Sequence, residues 1–360
     1  MRHRSIAILA LSGLALASHA TAAAPSLWFQ SQAAGLQPTA DRNAALDYWR
    51  LVNTTSYVDD LPARAGEVYK LLHPDPEGEA EAIEAPASLL PGGQLAAELA
   101  EIADFMDDLE RASREVHCDF QVRYEDGYAA LLPHLGHMRN FARLLVADAR
   151  RLALAGDTRG AADRLATMFR MARHITGDRI LISSLVSAAI TDMAIEEAYW
   201  LFDRTQDAPE IRQVLGQALE RFPADDPHNV ELALRTERDL VASLARQFRG
   251  PSAGRDFASM FGMVTGNTEG DAVEAALRGL NGEQFKSQVD KAVDAFDLVF
   301  EAWNADDPLA ELRILGEHFS SGDFGSVAVV VVPAFGHAYT SDARATERLH
   351  AFRARVNGDG

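Results

Sequence analysis

Cysteine, lysine and aromatic residues are scarce in this sequence. Cys118 is the only cysteine, so no intramolecular disulfide can form and the fold must depend on packing. Aromatic residues make up only 8% of the chain, while Ala and Leu dominate, which favours helices over strands. Arginine greatly outnumbers lysine, a bias that a GC-rich genome explains as well as any physical need. A hydrophobic content of 48% is that of a globular protein and excludes intrinsic disorder.

Positive charge is in short supply overall, since the formal net charge is −19. A protein this acidic is a poor binder of nucleic acid, anionic lipid or polyuronate, because each phosphate or carboxylate is repelled. We therefore expect no nucleic-acid partner. The charge fits plain solubility, and it also fits attraction to cations or to a basic partner protein.

The first residues indicate export. Residues 2–4 are basic, residues 6–17 are apolar, and residues 20–22 are the small residues that a signal peptidase accepts. The pattern predicts a cleavable signal peptide over residues 1–22 and a periplasmic or extracellular protein. The apolar run is too short to cross a bilayer, and no other segment of the mature chain predicts a membrane span.

A long helical hairpin is the clearest structural pattern. Apolar residues recur at alternating steps of four and three, which places them on one helical face, at Leu131, Leu135, Met138, Ala142, Leu145, Ala149 and Leu152. The same spacing resumes at Ala161, Leu165, Met168, Ala172 and Ile175. Between the two rows, Gly156 suits a left-handed helix end and Asp157 suits a helix N-terminus. A turn this short predicts an antiparallel pair.

The rest of the chain predicts more helices. Over residues 23–93 we expect an N-terminal helix followed by a flexible acidic loop at 73–93. A main helical domain is expected over 94–249, and its first helix runs from Gln94 to about Val116. A Gly-rich connection with short helical pieces follows over 250–282, and C-terminal helices over 283–360. In the first of these the four-three spacing recurs at Phe285, Val289, Ala292, Phe296, Val299 and Trp303. The β-branched run at residues 327–332 is isolated, which favours a buried helix. The predicted fold is all-α, an irregular bundle or solenoid-like array of antiparallel helices.

Two resemblances extend this prediction. Over about residues 131–175 the hairpin resembles one tetratricopeptide unit, in Ala155-Gly156-Asp157 followed by Gly160-Ala161-Ala162 and Ala172. The repeat period of about 34 residues does not recur, so no repeat array is expected. A wider pattern resembles a group of uncharacterised exported bacterial proteins over roughly half of the chain. It consists of Asn43-Ala44-Ala45-Leu46-Asp47-Tyr48-Trp49, Cys118-Asp119-Phe120, Leu131-Leu132-Pro133-His134-Leu135, Arg139, Ala142-Arg143-Leu144-Leu145 and Gly156-Asp157. This resemblance implies export and a helical body, and it implies no activity.

Metal binding is one candidate chemistry. His134 and His137 lie three residues apart, with His117 and Cys118 earlier in the chain, and such a group would suit zinc or copper. No cysteine pair or His-Glu-x-x-His motif supports a metal site. The favoured interpretation is that these side chains make local or core contacts, and no cofactor is predicted.

Catalysis has two candidate residues. Ser252 lies in a Gly-x-Ser-x-Gly pattern over residues 250–254, but a nucleophile elbow needs a strand before the serine, and a helix is predicted there. Glu237 interrupts an apolar row, where a buried carboxylate would act as an acid or bind a cation. A salt bridge to Arg235 or Arg238 is the favoured alternative. Asp192 and Glu196, one helical turn apart, are a further possible cation pair or part of a solvated face.

The function favoured by the sequence is a non-enzymatic exported helical protein that binds another protein or has a structural role. The first alternative is an exported hydrolase or lyase on a helical scaffold, with Trp49, Trp200 and Trp303 on helix faces that would suit sugar stacking. The second alternative is a metal- or small-ligand-binding protein using the His117 to His137 region. The sequence does not fix the oligomeric state.

Overall fold

The structure, a computed structural model, describes residues 42–54, 60–74, 82–265, 271–331 and 335–358. Within these ranges all regular structure is helical and no β-strand is present, which confirms the all-α class. The predicted signal peptide and residues 75–81 of the acidic loop predicted at 73–93 lie outside the described residues. No described helix combines the length and the apolar character needed to cross a membrane.

The helices account for most of the described chain. In chain order they are α1 (Ala44–Thr54), α2 (Leu61–Leu72), α3 (Gln94–Glu101), α4 (Ala103–Arg114), α5 (Pro133–Leu154), α6 (Thr158–Ile175), α7 (Leu181–Thr205), α8 (Pro209–Leu219), α9 (Val230–Gln247), α10 (Ala253–Thr265), α11 (Asp271–Arg278), α12 (Gly282–Trp303), α13 (Pro308–Ser321), α14 (Gly325–Val331) and α15 (Phe335–Asn357). Short 3-10 turns lie at Ala87–Leu89, Tyr124–Ala129 and Thr176–Asp178.

The described residues form two compact units. The larger unit contains the described parts of Ala23–Gln121, Leu132–Val230 and Arg344–Gly360, and the smaller contains those of Val122–Leu131 and Glu231–Ala343. The expected main domain at 94–249 is therefore shared between the two units, and the last part of the chain belongs to the larger one.

The predicted hairpin is the centre of the larger unit, formed by α5 and α6. Gly156 has φ +93, the left-handed conformation expected at the helix end. The Asp157 side chain accepts a hydrogen bond of 2.8 Å from the Gly160 N–H and so caps α6. Most of the predicted rows are buried, at Leu135, Met138, Ala142, Leu145, Ala149, Ala161, Leu165, Met168, Ala172 and Ile175. The likeness to a tetratricopeptide unit remains a prediction.

Three local predictions about helices were wrong. Leu131 is 68% exposed, because α5 begins only at Pro133 and the residue precedes the helix. The single helix expected from Gln94 to Val116 is interrupted at Ile102, whose φ −101 and ψ 23 are not helical. The Gly-rich segment 250–282 contains more than short pieces, since α10 is 13 residues long.

The larger unit packs α6, α7 and α15 around one aromatic side chain. The Phe352 ring of α15 lies 5.7 Å from Phe169 of α6 and 5.7 Å from Phe202 of α7. Phe352 and both partners are fully buried. Rings at these separations add to the stabilisation that burial of their area provides. The aromatic contacts therefore fix α15 against the helices that carry the candidate site.

The smaller unit has its own apolar core, built around α12. Phe285, Val289, Phe296 and Val299 of that helix are buried, as the four-three spacing predicted. Residues 327–331 of the β-branched run lie in α14, with Val327 buried, so the expected helix is confirmed there, and Val332 lies outside the described residues.

Candidate functional site

A group of seven ionisable side chains lies in the larger unit, around α7. We call it the charge cluster; it consists of Tyr69, His73, Arg150, Asp192, Glu196, Glu197 and Arg348. Its three carboxylates come from α7, where Asp192 and Glu196 lie one helical turn apart and Glu197 follows directly. The other members come from the end of α2, from α5 and from α15. Four separate parts of the chain therefore meet at this group.

The innermost contact is an ion pair between Arg150 and Glu197. Two guanidinium N–H groups donate to the two carboxylate oxygens at 2.8 Å each, and the side chains are only 3% and 1% exposed. The Arg150 guanidinium also lies 3.6 Å from the centre of the Trp200 ring, a cation–π contact. A buried charge is tolerated only when it is paired and hydrogen-bonded, and this two-pronged geometry meets that condition.

His73 contacts the Arg150–Glu197 pair from its more exposed side. Its Nε2 lies 2.7 Å from Oε1 of Glu197, and its Nδ1 lies 3.5 Å from Oε2 of Glu196. The ring also packs on Tyr69, with the ring centres 4.7 Å apart. Carboxylate oxygens of two different residues therefore lie next to the two ring nitrogens.

Glu196 and Asp192 form the more exposed part of the cluster. The Tyr69 hydroxyl donates to Glu196 at 3.1 Å, and Arg348 donates to Glu196 at 3.3 Å and lies 3.3 Å from Asp192. Burial, with a smaller contribution from Glu196, raises the pKa of Tyr69, so the phenol stays protonated and donates. Burial also raises the pKa of Asp192, and Arg348 opposes the rise. The possible cation pair predicted here is thus bound by an arginine.

The charge cluster also forms a hydrogen bond with the backbone at Glu84. A further N–H of Arg150 donates to the Glu84 carbonyl oxygen at 3.2 Å. Since His73 ends α2, the Arg150–Glu197 pair is linked both to the end of that helix and to the segment around residue 84. This arrangement suits the positioning of a surface, because each carboxylate is already engaged by an arginine.

Each predicted metal-binding residue has a different set of contacts in the structure. His134 is buried, its Nε2 lies 2.7 Å from Asp178, and its ring stacks on Phe120 at 4.1 Å. Burial lowers the pKa of His137 and raises that of the Cys118 thiol. The His117 carbonyl accepts from the Ala44 N–H at 2.9 Å. In the described part of the chain, no three His, Cys, Asp or Glu side chains are grouped so that they could hold a metal ion.

The contact between His134 and Asp178 also involves a serine. The Ser183 hydroxyl donates to the same Asp178 oxygen, at 2.7 Å. In a serine nucleophile site the histidine must lie between the serine and the acid, because the histidine takes the hydroxyl proton. Here the acid lies in the middle, which suits a structural contact between α5 and the start of α7.

Ser252 lies in a turn between two helices. Its hydroxyl donates to Asp256 at 2.8 Å, and α9 ends at Gln247 before it, so the strand of a nucleophile elbow is replaced by a helix. A Cβ atom added at Gly254 would lie 1.9 Å from the Leu277 carbonyl oxygen. Close helix packing therefore accounts for the second glycine of the motif.

Glu237 is half-buried in α9. The arginines expected to bind it also have other partners, since Arg235 pairs with Glu231 at 2.7 Å and Arg238 with Asp297 at 3.0 Å. Neither Glu237 nor Ser252 belongs to the charge cluster.

Sequence reasoning missed the inner members of the cluster. Arg150 follows an alanine in α5, and Glu197 precedes an alanine in α7. His73 lies at the start of the segment predicted as a loop. The one signal in the sequence was an arginine at the end of the largely apolar stretch 144–150. The structure buries every residue of that stretch in α5. No protein-family model matches this chain, and neither curated proteins nor solved structures gave a significant match.

Proposed function

We propose that this protein acts outside the cytoplasm by binding a partner protein through a surface formed by Leu71 and Ile83. Both side chains are apolar and exposed, at 46% and 44%. The Ile83 N–H donates to the Leu71 carbonyl oxygen at 2.9 Å, which holds the two residues next to each other. This Leu71/Ile83 surface is the observation that carries the proposal.

The charge cluster supports this role because it anchors both halves of the surface. His73, two residues after Leu71, contacts Glu197, and the Glu84 carbonyl, next to Ile83, accepts from Arg150. A surface fixed before binding loses less conformational entropy when the partner arrives. The buried Arg150–Glu197 pair therefore contributes to binding indirectly, by holding the contact residues in place.

The acidic residues near the Leu71/Ile83 surface indicate which charge the partner protein carries. From residue 71 to residue 93 the sequence contains five acidic residues and no lysine or arginine. Complementary charge speeds association and excludes wrong partners. The matching partner thus presents apolar side chains surrounded by lysine or arginine.

The side chains that would serve catalysis or sugar stacking are held by contacts within the protein, which favours a binding role over an enzymatic one. The rings that would suit sugar stacking have internal partners: Trp200 lies against Arg150, and Trp303 lies 4.9 Å from Tyr339. The Ser252 hydroxyl is held by Asp256. Export is proposed from the basic, apolar and small residues over 1–22, together with the resemblance to exported proteins.

A comparative pull-down from envelope extracts tests the proposal. The baits are the wild type, the double variant Leu71→Ser/Ile83→Ser, and Leu309→Ser, an equally exposed leucine of the smaller unit. We expect one protein that is retained by the wild type and the control, is lost with the double variant, and is released by raised salt. Capture that is equal for all three baits, or the absence of any specific partner at low salt after cross-linking, would contradict the proposal.

A further inference from the structure

A cavity of about 360 Å³ lies between α1 and α4 in the larger unit, away from the charge cluster. Its walls carry three arginines and three aspartates, namely Arg42, Asp47, Arg50, Asp104, Asp108 and Arg111. On α4 the charged positions are spaced by four and three, so they lie on one side of the helix, as do the α1 positions spaced by three. Two charged helix faces therefore line one cavity.

The charges of the cavity balance. Asp47 accepts from Arg42 and Arg50 at 3.1 Å each, and Arg111 lies 2.6 Å from Asp108. Arg42 also lies 3.5 Å from Glu115, which does not line the cavity. Asp104 forms no ion pair with any residue that the structure describes. A guanidinium has five N–H donors, so arginines bound by one or two contacts keep donors for a further carboxylate. The cavity thus offers donors for an anion and a carboxylate for a cation, with no net charge.

Apolar side chains complete the lining. Leu51 is buried and Phe105 is half-buried, and both line the cavity. The volume is at the lower end of the range for small-molecule sites, about 300–1,000 Å³. A ligand of this size with both charges and a short apolar group matches the lining in charge, in polarity and in volume.

We propose that this cavity binds a free α-amino acid with an apolar side chain, as its zwitterion. The carboxylate is bound by N–H donors of Arg42 and Arg111, since arginine and carboxylate form paired charge-assisted hydrogen bonds. The ammonium is bound by Asp104, and the side chain contacts Phe105 and Leu51. A ligand with net charge would be disfavoured, because the six charged groups already cancel. This site is independent of the Leu71/Ile83 surface.

Titration calorimetry with L-leucine and L-phenylalanine tests the ligand class. Leucinamide lacks the carboxylate and 4-methylpentanoate lacks the ammonium, so each compound removes one half of the zwitterion. A hydrogen bond to a charged group contributes about 1.5–3 kcal/mol, so each compound should bind about ten- to a hundredfold more weakly than leucine. Absence of binding by both amino acids at millimolar concentration, or binding of the amide or of the acid that is as tight as that of leucine, would overturn the proposal.

Variants locate the site. Asp104→Asn and Arg111→Gln should each weaken leucine binding about tenfold, and their thermal stability should not change because both side chains are exposed. Arg159→Gln is the matched control, an exposed arginine of the same unit that pairs with Asp163 and does not line the cavity. Binding that is unchanged in the two cavity variants, or equally weakened in the control, would place the ligand elsewhere and refute this site. Loss of leucine binding with the partner still captured would leave the proposed function intact.

Discussion

The Tyr48 hydroxyl and His174 Nδ1 are 2.9 Å apart, although 126 residues separate them in the chain. The other ring nitrogen, Nε2, lies 2.9 Å from the Glu115 carbonyl oxygen. A carbonyl can only accept, so Nε2 carries the proton and, in the neutral ring, Nδ1 accepts from Tyr48. One buried histidine thereby joins α1, α6 and the end of α4.

This burial predicts a pH-dependent stability. Burial lowers the pKa of His174 and of His228 to about 4, whereas an unfolded histidine titrates near 6.5. Below pH 6.5 the unfolded chain binds more protons, so stability is fully present above pH 6.5 and falls as the pH drops toward 4. Each histidine should contribute a loss of about 3 kcal/mol.

Urea unfolding at several pH values measures this effect. The slope of the unfolding free energy against pH between 4 and 6.5 should decrease in His228→Gln and should be unchanged in His337→Gln, a control at an exposed position. A stability that is flat from pH 7 down to 4.5 would contradict the assignment.

A second prediction compares two leucines of the predicted apolar row, one inside α5 and one that precedes it. Leu145 is fully buried, so Leu145→Ala should cost about 2–5 kcal/mol of unfolding free energy. Leu131 is 68% exposed, so Leu131→Ala should change it by less than about 0.5 kcal/mol. Chemical denaturation of both variants measures the difference, and equal costs would mean that the start of α5 is misplaced.

A third prediction compares Gly254, a glycine of the serine motif, with Gly136, a glycine of α5. Gly254→Ala should destabilise the smaller unit, because the added carbon meets the Leu277 carbonyl oxygen at 1.9 Å. Gly136→Ala, in α5, meets nothing within 4 Å and should stabilise that helix by up to about 1 kcal/mol. Melting temperatures of the two variants should move in opposite directions. A stable Gly254→Ala protein would leave the glycine without a packing role.

A fourth prediction concerns the buried ion pair. Arg150→Met leaves Glu197 without its main partner and should cost about 3–5 kcal/mol. The double variant Arg150→Met/Glu197→Met should lose less than the sum of the two single variants, since neither charge is then left alone. The exposed pair of Arg159 and Asp163 is the control and should contribute at most about 1 kcal/mol. Additive costs at the buried pair would contradict the coupling.

The sequence predicted the fold where local patterns decide it. Spacing alone identified the α5–α6 hairpin, and Gly156 and Asp157 marked its turn correctly. The break at Ile102 could not be predicted, because an apolar residue at helical spacing gives no sign of a change in direction.

The charge cluster was beyond sequence reasoning for a different reason. His73, Arg150 and Glu197 are far apart in the chain, and each one alone is typical of a solvated surface. Only tertiary packing brings them together and buries the pair. Asp192 and Glu196 were noticed because they share a helix face, but their partner Arg348 lies more than 150 residues away.

Amide hydrogen exchange at Ile83 tests most directly whether the buried pair anchors the Leu71/Ile83 surface. The Ile83 N–H donates to Leu71, so its exchange rate reports how firmly the surface is held. Leu145→Ala serves as the comparison, a core variant that lowers global stability without touching the cluster. We predict that Arg150→Met accelerates exchange at Ile83 well beyond the increase in Leu145→Ala. Equal rates in the two variants would contradict the claim that Arg150 and Glu197 hold this surface in place.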